Sequence, residues 1–395
     1  MTRTNADIPI TVLAESVDGA VELEWFEDGF SPRRLPSWTR DRQPDVGIQR
    51  IAGATVGVRL RLRTSARFLT FDLLFARAGD TATGRPRQSV QLAAEVGGTV
   101  VDRHELDAGI LHLDYPDGTT DIDGTPSRIT FSLGGDGATV RDVDVWLPHT
   151  SETVVRGGSA DAPVVASAPL RGARWVHHGS SISHCLEADG PLGPWPQQVS
   201  RALRIPVTNL GFAGNALLDP FVAQTIAGLP ADIITLKLGI NVVNLDAMRT
   251  RTFVPAVHGF LDLVRHGHPQ TPLVVISSII SPVFENTPGP SRERTPGRYG
   301  GTPREELPGD GSLTIARTRE SLERVVASRS DDPNLYFMDG RCLLGRDDAA
   351  RLYDDLHPDQ AGYDLMARRF ADLAQDGDTA LGRAFSGLIP WVPND

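Results

Sequence analysis

Residues 175–185 read WVHHGSSISHC. The apolar and aromatic start predicts a strand, Gly179 breaks it, and three of the next four positions carry hydroxyls. A serine just past a strand can cap a helix, because its oxygen accepts an orphan N–H of the first turn. It can also be a nucleophile held at a strand-to-helix corner. A cap asks nothing of the rest of the chain. A nucleophile asks for a base, a carboxylate to orient it and fixed donors for an oxyanion.

Downstream the pattern alternates between strand and helix. "ARWVHH", "PVTNLGF", "DIITLKLGIN", "PLVVISSII" and "NLYFMDG" read as buried strands. Between and after them, apolar residues recur at helical spacing: Trp195, Val199 and Ala202; "PFVAQTIAGL"; Phe253, Val257, Phe260 and Val264; "SLTIARTRESLERVVAS"; and Tyr363, Met366, Phe370 and Leu373. Five strands alternating with helices predict an α/β fold, a doubly wound parallel sheet with helices on both faces. In such sheets ligands bind at the carboxyl ends of the strands. The places to look are therefore Ser180–Ser183, Gly211–Asn215, Gly239–Asn241 and the segment leading to His357.

Upstream the period changes to two. In "VGVRLRLR" Val56, Val58, Leu60 and Leu62 share one face, as in a half-buried strand. "VELEW", "FLTFDLLF", "SVQLAAEV", "RITFSL" and "VRDVDVWL" are further strands, and Gly97-Gly98 marks a turn. Short strands separated by turns predict an antiparallel, jelly-roll-like β-sandwich over residues 1–165, followed by the α/β domain over 166–395. The Gly-, Ala-, Ser- and Pro-rich stretch 154–172 reads as a linker or a boundary crossing between them.

Composition narrows the partners. A chain of 395 residues with 40% hydrophobic and 23% charged residues can bury two cores. A formal charge of −11 argues against nucleic acid or an anionic membrane, both of which reward Lys and Arg. Two cysteines, Cys185 and Cys342, give neither a disulfide framework nor a four-ligand zinc pattern. The first residues lack a signal-peptide run and no stretch is long enough to span a membrane, so the expected location is cytoplasmic.

The strand ends hold what acyl transfer needs. In "YDDLHPDQAGY", Asp354 and His357 are three residues apart, so one turn can hold carboxylate and imidazole together. Pro358 is expected to open the next helix. Turn glycines let backbone N–H groups approach an oxyanion, and Asn241 offers a side-chain amide at the end of a buried strand.

These four segments resemble the ordered blocks of the GDSL-type, or SGNH, esterase superfamily. "GSSIS" is similar to the first, with Ser181 as nucleophile, and "NLGFAGN" to the second, with Gly214 as backbone donor. "KLGIN" is similar to the third, with Asn241 as side-chain donor, and "DDLHP" to the last, with Asp354 and His357 completing a triad. The resemblance spans about residues 172–390 and extends to a bacterial branch in which a β-sandwich precedes the hydrolase, as in some carbohydrate deacetylases. It implies that Ser181, Gly214 and Asn241 supply the oxyanion hole and that no metal or organic cofactor is needed. Two positions depart from the family pattern. Ser180 stands where Asp is usual and Val242 where Asp is common, which bears on how the nucleophile turn is braced.

Each residue has a plainer reading. Ser181 could be a helix cap, Gly214 a turn residue and Asn241 a strand stop. Asp355 competes with Asp354 as the carboxylate. His177, His178 and His184 suggest a metal, but adjacent strand residues face opposite ways and no zinc spacing accompanies them. His184 is placed near a pocket rim and Cys185 in packing. Ser180, His184, Trp195 and Asn215 are the candidate substrate contacts.

The expected activity is hydrolysis of short-chain, notably acetyl, esters of a polar small molecule or carbohydrate. The long Pro-, Gly-, Arg- and Glu-rich segment 281–312 carries only Phe284 and Tyr299 as aromatics. It offers no continuous apolar face for a long acyl chain, where each buried methylene contributes only ~0.8 kcal/mol. Alternatives are an acyltransferase using the same triad, a lipase or acylhydrolase of longer chains, and a carbohydrate-binding protein with a dormant hydrolase domain.

Overall fold

The computed structural model describes residues 6–42, 46–80, 89–115, 118–122, 124–303 and 311–388. The chain divides into two compact units, residues 1–170 with 190–192, and residues 171–189 with 193–395.

Among its described residues the first unit has an eight-stranded and a six-stranded sheet. Strands Phe68–Asp80, Ser127–Ser132 and Ser151–Ala160 lie in the larger one, and Arg59–Thr64, Val90–Val96 and Arg141–Trp146 in the smaller. Their inward residues meet in a single core, with Leu60, Leu62 and Val143 from one sheet packed with Phe71, Leu73 and Ile129 from the other. The two-residue period of 56–62 is realised, since Val56, Val58, Leu60 and Leu62 are all buried.

Two expectations need correction here. The sheets are not wholly antiparallel, because Phe68–Asp80 pairs in parallel with Ile110–Tyr115. Between them the chain crosses to the other sheet for Val90–Val96 and Thr99–Leu106, and so returns in the same direction. Nor is the stretch 154–172 a linker throughout: the boundary between the units falls within it, after Leu170, but its earlier part is strand. Ser151–Ala160 pairs along Phe68–Asp80, and Val164–Ala166 pairs with Arg59–Thr64. The small residues serve a bulge between Val155 and Gly157, after which a Cβ on Gly158 would stand 3.0 Å from the Thr70 carbonyl oxygen.

The second unit is the doubly wound domain. Its parallel sheet comprises β1 (Trp175–Gly179), β2 (Val207–Gly211), β3 (Ile233–Lys237), β4 (Leu273–Ile276) and β7 (Leu335–Met338), in the order β2-β1-β3-β4-β7. The intervening β5 (Arg292–Thr295) and β6 (Arg298–Gly300) form a separate hairpin. Counting only sheet strands, this is the flavodoxin-type order, whose switch point lies between the first and third strands.

The helices are α1 (Ser181–His184), α2 (Trp195–Leu203), α3 (Pro220–Gly228), α4 (Ile240–Asn244), α5 (Thr250–Gly267), α6 (Pro282–Glu285), α7 (Ile315–Ala327), α8 (Gln360–Gln375) and α9 (Ala380–Phe385). One sheet face, with Trp175, Ile233, Val274 and Ile276, packs on Trp195, Phe370 and Phe385. The other presents His178, whose ring stacks on Phe260 of α5 with centroids 5.8 Å apart. His177 and His178 thus face opposite sides, as strand alternation requires. Among the described residues no helix is long and apolar enough to cross a membrane.

Candidate active site

The serine turn begins where β1 runs out. Gly179 admits no side chain, since a Cβ there would lie 2.3 Å from Ser183 Oγ. Ser180 is extended and caps α1, its Oγ accepting from Ile182 N at 3.3 Å. The helix lasts one turn and stops at Cys185, whose φ of 59° is left-handed and whose N–H donates to the Ser181 carbonyl at 2.6 Å. Across this turn only Ser181 reaches the surface, at 8% exposure, while Ser180, Ser183 and His184 are at 0%. The capping role falls to Ser180, so the Ser181 hydroxyl is not spent on the helix end.

That hydroxyl lies 2.9 Å from His357 Nε2. His357 Nδ1 lies 2.7 Å from Asp354 Oδ2, and Asp354 Oδ1 accepts the backbone N–H groups of Leu356 at 3.0 Å and His357 at 2.6 Å. Burial works to raise the Asp354 pKa, but the His357 side chain and these N–H donors outweigh it and hold the carboxyl below its ordinary value. A carboxylate only accepts, so Nδ1 carries the imidazole proton and Nε2 turns its lone pair toward Ser181. Asp355, the rival carboxylate, instead pairs with Arg298 at 2.9 Å. Pro358 does not open the next helix: it bridges back to Leu352, and α8 starts at Gln360 with Asp359 Oδ1 accepting from Gly362 N at 2.7 Å. The bridge closes the loop that presents His357.

The two other blocks meet beside this group. Gly214 sits in an exposed turn after β2 with φ 72°, a left-handed value that favours glycine. The turn is joined to β1 by Phe212 N donating to the Gly179 carbonyl at 2.8 Å. Gly239, with φ 115°, swings the chain from β3 into α4, so Asn241 lies in a first helical turn rather than at a strand end. Asn241 Oδ1 accepts from Ala216 N at 3.0 Å, which ties the two blocks together and leaves Nδ2 as the donor. Ser181 and Asn241 thus follow the two strands that flank the switch point.

Three hydrogen bonds brace the serine turn, with Ser180 in place of Asp, and a fourth fixes one of the bracing side chains. His177 Nε2 meets Ser183 Oγ at 2.8 Å, and its Nδ1 meets Thr235 Oγ1 at 2.7 Å. Asn209 Nδ2 donates to the Ser183 carbonyl at 3.0 Å, and Trp195 Nε1 to the Ile182 carbonyl at 2.7 Å. Burial drives the His177 pKa well down, so this histidine is a neutral brace. Asn209 escaped the sequence reading; its signal was a polar residue inside a buried strand.

Three candidate substrate contacts are therefore corrected. Ser180 is the helix cap. Trp195 is wholly buried among Trp175, His177 and Phe370, because the amphipathic α2 turns it inward. His184 is wholly buried at the end of α1 and is no rim residue. Asn215 is half-buried, with Nδ2 donating to the Ala213 carbonyl at 2.6 Å within its own turn. Tyr353, which sequence reading passed over, is 45% exposed and stacks on the His357 ring with centroids 6.3 Å apart. Its hydroxyl donates to Glu187 at 3.3 Å. Among the described residues no group of three or more His, Cys, Asp and Glu is placed to hold a metal ion.

Residues 178–365 match the model of the GDSL-like Lipase/Acylhydrolase family. A comparison with curated proteins finds no match. Among solved structures, the salicylyl-acyltransferase SsfX3 from a tetracycline biosynthetic pathway is similar at 25% identity and a TM-score of 0.72, over 93% of this chain and 96% of that one. A candidate GDSL-like lipase from Bacteroides ovatus is similar at 18% identity and a TM-score of 0.67, over 94% and 97%. The acetyl xylan esterase Est2A from Butyrivibrio proteoclasticus is similar at 11% identity and a TM-score of 0.55, again over 94% and 97%. The last two likenesses speak for the fold alone.

Proposed function

Residues 178–365 being a GDSL-like lipase/acylhydrolase domain, we propose that the chain is a serine esterase of short-chain, notably acetyl, esters of a polar small molecule or carbohydrate. The observation that carries this reading is the continuous line Asp354–His357–Ser181, with contacts of 2.7 and 2.9 Å, at the carboxyl ends of a parallel sheet. Ser181 Oγ attacks the ester carbonyl as His357 Nε2 takes its proton. The Ser181 and Gly214 N–H groups and Asn241 Nδ2 stabilise the tetrahedral oxyanion. His357 then protonates the departing alcohol, and next takes a proton from a water that attacks the acyl-enzyme. The carboxylic acid leaves and Ser181 regains its proton.

The short-acyl preference is supported by the segment after β4. Its Phe284 is buried in the domain, and Arg292–Thr295 is fully exposed and polar, so the described part presents no apolar lid. Residues 304–310 of the segment lie outside the described residues. The test is kcat/KM across acetyl, butyryl, octanoyl and palmitoyl esters, together with labelling by a serine-directed phosphonate. Preference for octanoyl or longer chains would refute the short-acyl reading, and labelling that survives Ser181→Ala would refute the nucleophile.

A second reading is favoured by the resemblance to an acyltransferase over nearly the whole of both chains. The same acyl-enzyme would pass its acyl group to an alcohol or amine instead of water. Product analysis with an added acceptor separates the two. A transferred acyl group in excess of free acid would replace hydrolysis as the main activity.

A further inference from the structure

The segment between β4 and α7 is tied to both halves of the catalytic apparatus. At its root, Ser291 N donates to the Asn244 carbonyl of α4 at 2.6 Å, on the helix that carries Asn241. The backbone there passes so close that a Cβ on Gly289 would lie 2.0 Å from the Val243 carbonyl oxygen. The root is closed on itself by Thr302, whose N–H reaches Pro288 O at 2.9 Å and whose hydroxyl reaches Pro290 O at 2.8 Å. On the returning strand β6, Tyr299 N donates to the Asp354 carbonyl at 3.2 Å, and Arg298 Nη1 to Asp355 Oδ1 at 2.9 Å.

The turn at the far end needs such support. Asp355 is a non-glycine residue at φ 70°, a conformation that persists only where its surroundings impose it. Ser281 Oγ, at the start of the same segment, donates to the Asp355 carbonyl at 3.1 Å. Asp355 thus receives a side-chain contact at its carboxylate and another at its carbonyl, both from this segment. Its neighbour Asp354 receives a third.

We propose that the β5–β6 hairpin is a strap that keeps the Asp354–His357 turn in register with the Asn241 helix, and that Arg298 is a positioning residue acting through Asp355. Arg298 touches no triad atom. The Arg298 and Asp355 side chains are 50% and 38% exposed, so the ion pair adds little to global stability and is open to screening by salt. Its effect falls on geometry, where a small displacement of a catalytic group is costly in turnover. The activity readout rests on the serine esterase reading above.

The test measures kcat, KM and melting temperature for Arg298→Ala, Arg298→Lys, Asp355→Gly and the double variant Arg298→Ala/Asp355→Gly, with p-nitrophenyl acetate. Asp355→Gly removes the carboxylate while welcoming the left-handed backbone, so lost function is separated from lost folding. The expected result is a roughly tenfold fall in kcat for Arg298→Ala and Asp355→Gly, with KM within about twofold and the double variant no worse than either single. Arg298→Lys should retain most of the rate. Salt should slow the unmodified protein and Arg298→Lys, which keep the ion pair, but not the variants that lose it. An unchanged kcat in Arg298→Ala, a rise in KM alone, or additive losses in the double variant would each overturn the strap. Ser181→Ala, assayed alongside, keeps the two readings apart. If it stays active the esterase reading fails, whereas an inactive Ser181→Ala beside a fully active Arg298→Ala sinks only the strap.

Discussion

Replacing Lys237 with methionine should stabilise the second unit, and the gain should shrink as pH rises. Lys237 is the last residue of β3 and is 1% exposed, and its Nζ has no hydrogen-bond partner among the described residues. The groups that interact with it offer no counter-charge. Burial keeps the Cys185 thiol protonated by raising its pKa, and keeps His177 neutral. Burial outweighs a smaller opposing influence of Cys185 and brings the ammonium from its ordinary 10.5 to about 8. At ~1.36 kcal/mol per pH unit, that fall corresponds to about 3 kcal/mol of destabilisation at pH 7, where both folded and unfolded chains carry the charge. Between about 8 and 10.5 the unfolded chain holds the proton more tightly than the folded one, so stability climbs with pH across that window. Methionine matches the lysine stem in bulk and removes the charge. Scanning calorimetry should show the melting temperature of the second unit raised by roughly 5–10 °C at pH 7, for a unit of this size. At pH 10 the difference should fall below about 1 kcal/mol. A variant no more stable than the parent at pH 7, or a gain that does not shrink by pH 10, would refute the assignment of a buried, uncompensated charge.

The remaining predictions concern the site. Ser181→Ala should lower kcat by at least ~10³-fold with the melting temperature unchanged, because it removes the covalent route; near-normal turnover would overturn the nucleophile. Asn241→Ala should lower kcat by roughly 10²–10³-fold, and a change confined to KM would show a binding role only. Asp354→Asn should cost about 10³-fold or more, since it spoils the tautomer that points Nε2 at the serine; a smaller loss than Asp355→Asn would mean the wrong carboxylate. Trp195→Ala should destabilise by about 3–5 kcal/mol in urea unfolding. An altered KM with full stability would restore Trp195 as a substrate contact.

Much of the fold was legible because hydrophobic period reports a buried face directly. Leu60 and Leu62 alternate with arginines, and Phe253, Val257, Phe260 and Val264 trace one side of a helix; all are buried. The meeting of Ser181, Asp354 and His357 in a candidate site was legible because topology confines such sites to strand ends, and those ends hold few chemically capable residues. What stayed hidden needs the third dimension. Trp195 lies on an apolar stripe, and periodicity does not say whether such a stripe faces a core or a pocket. The composition of 154–166 suits a flexible crossing and a bulged strand of small residues equally well. The β5–β6 hairpin has no apolar alternation to announce it, since Arg292–Thr295 is exposed throughout. Asn209 looked like any polar residue until its amide was seen holding the Ser183 carbonyl.

The contact between Ser181 and His357 joins positions 176 residues apart. Closing so long a span is entropically uphill until the intervening strands have paired, which places this contact late in the order of assembly. β1 lies inside the sheet and must be flanked by β2 and β3 before its serine turn is supported, and the base arrives only after β7. During synthesis the candidate nucleophile therefore leaves the ribosome well ahead of His357, the group placed to activate it. On the proposed reading, a nascent or half-collapsed chain holds an ordinary, unreactive serine, and the site is complete only when the whole sheet has closed around it.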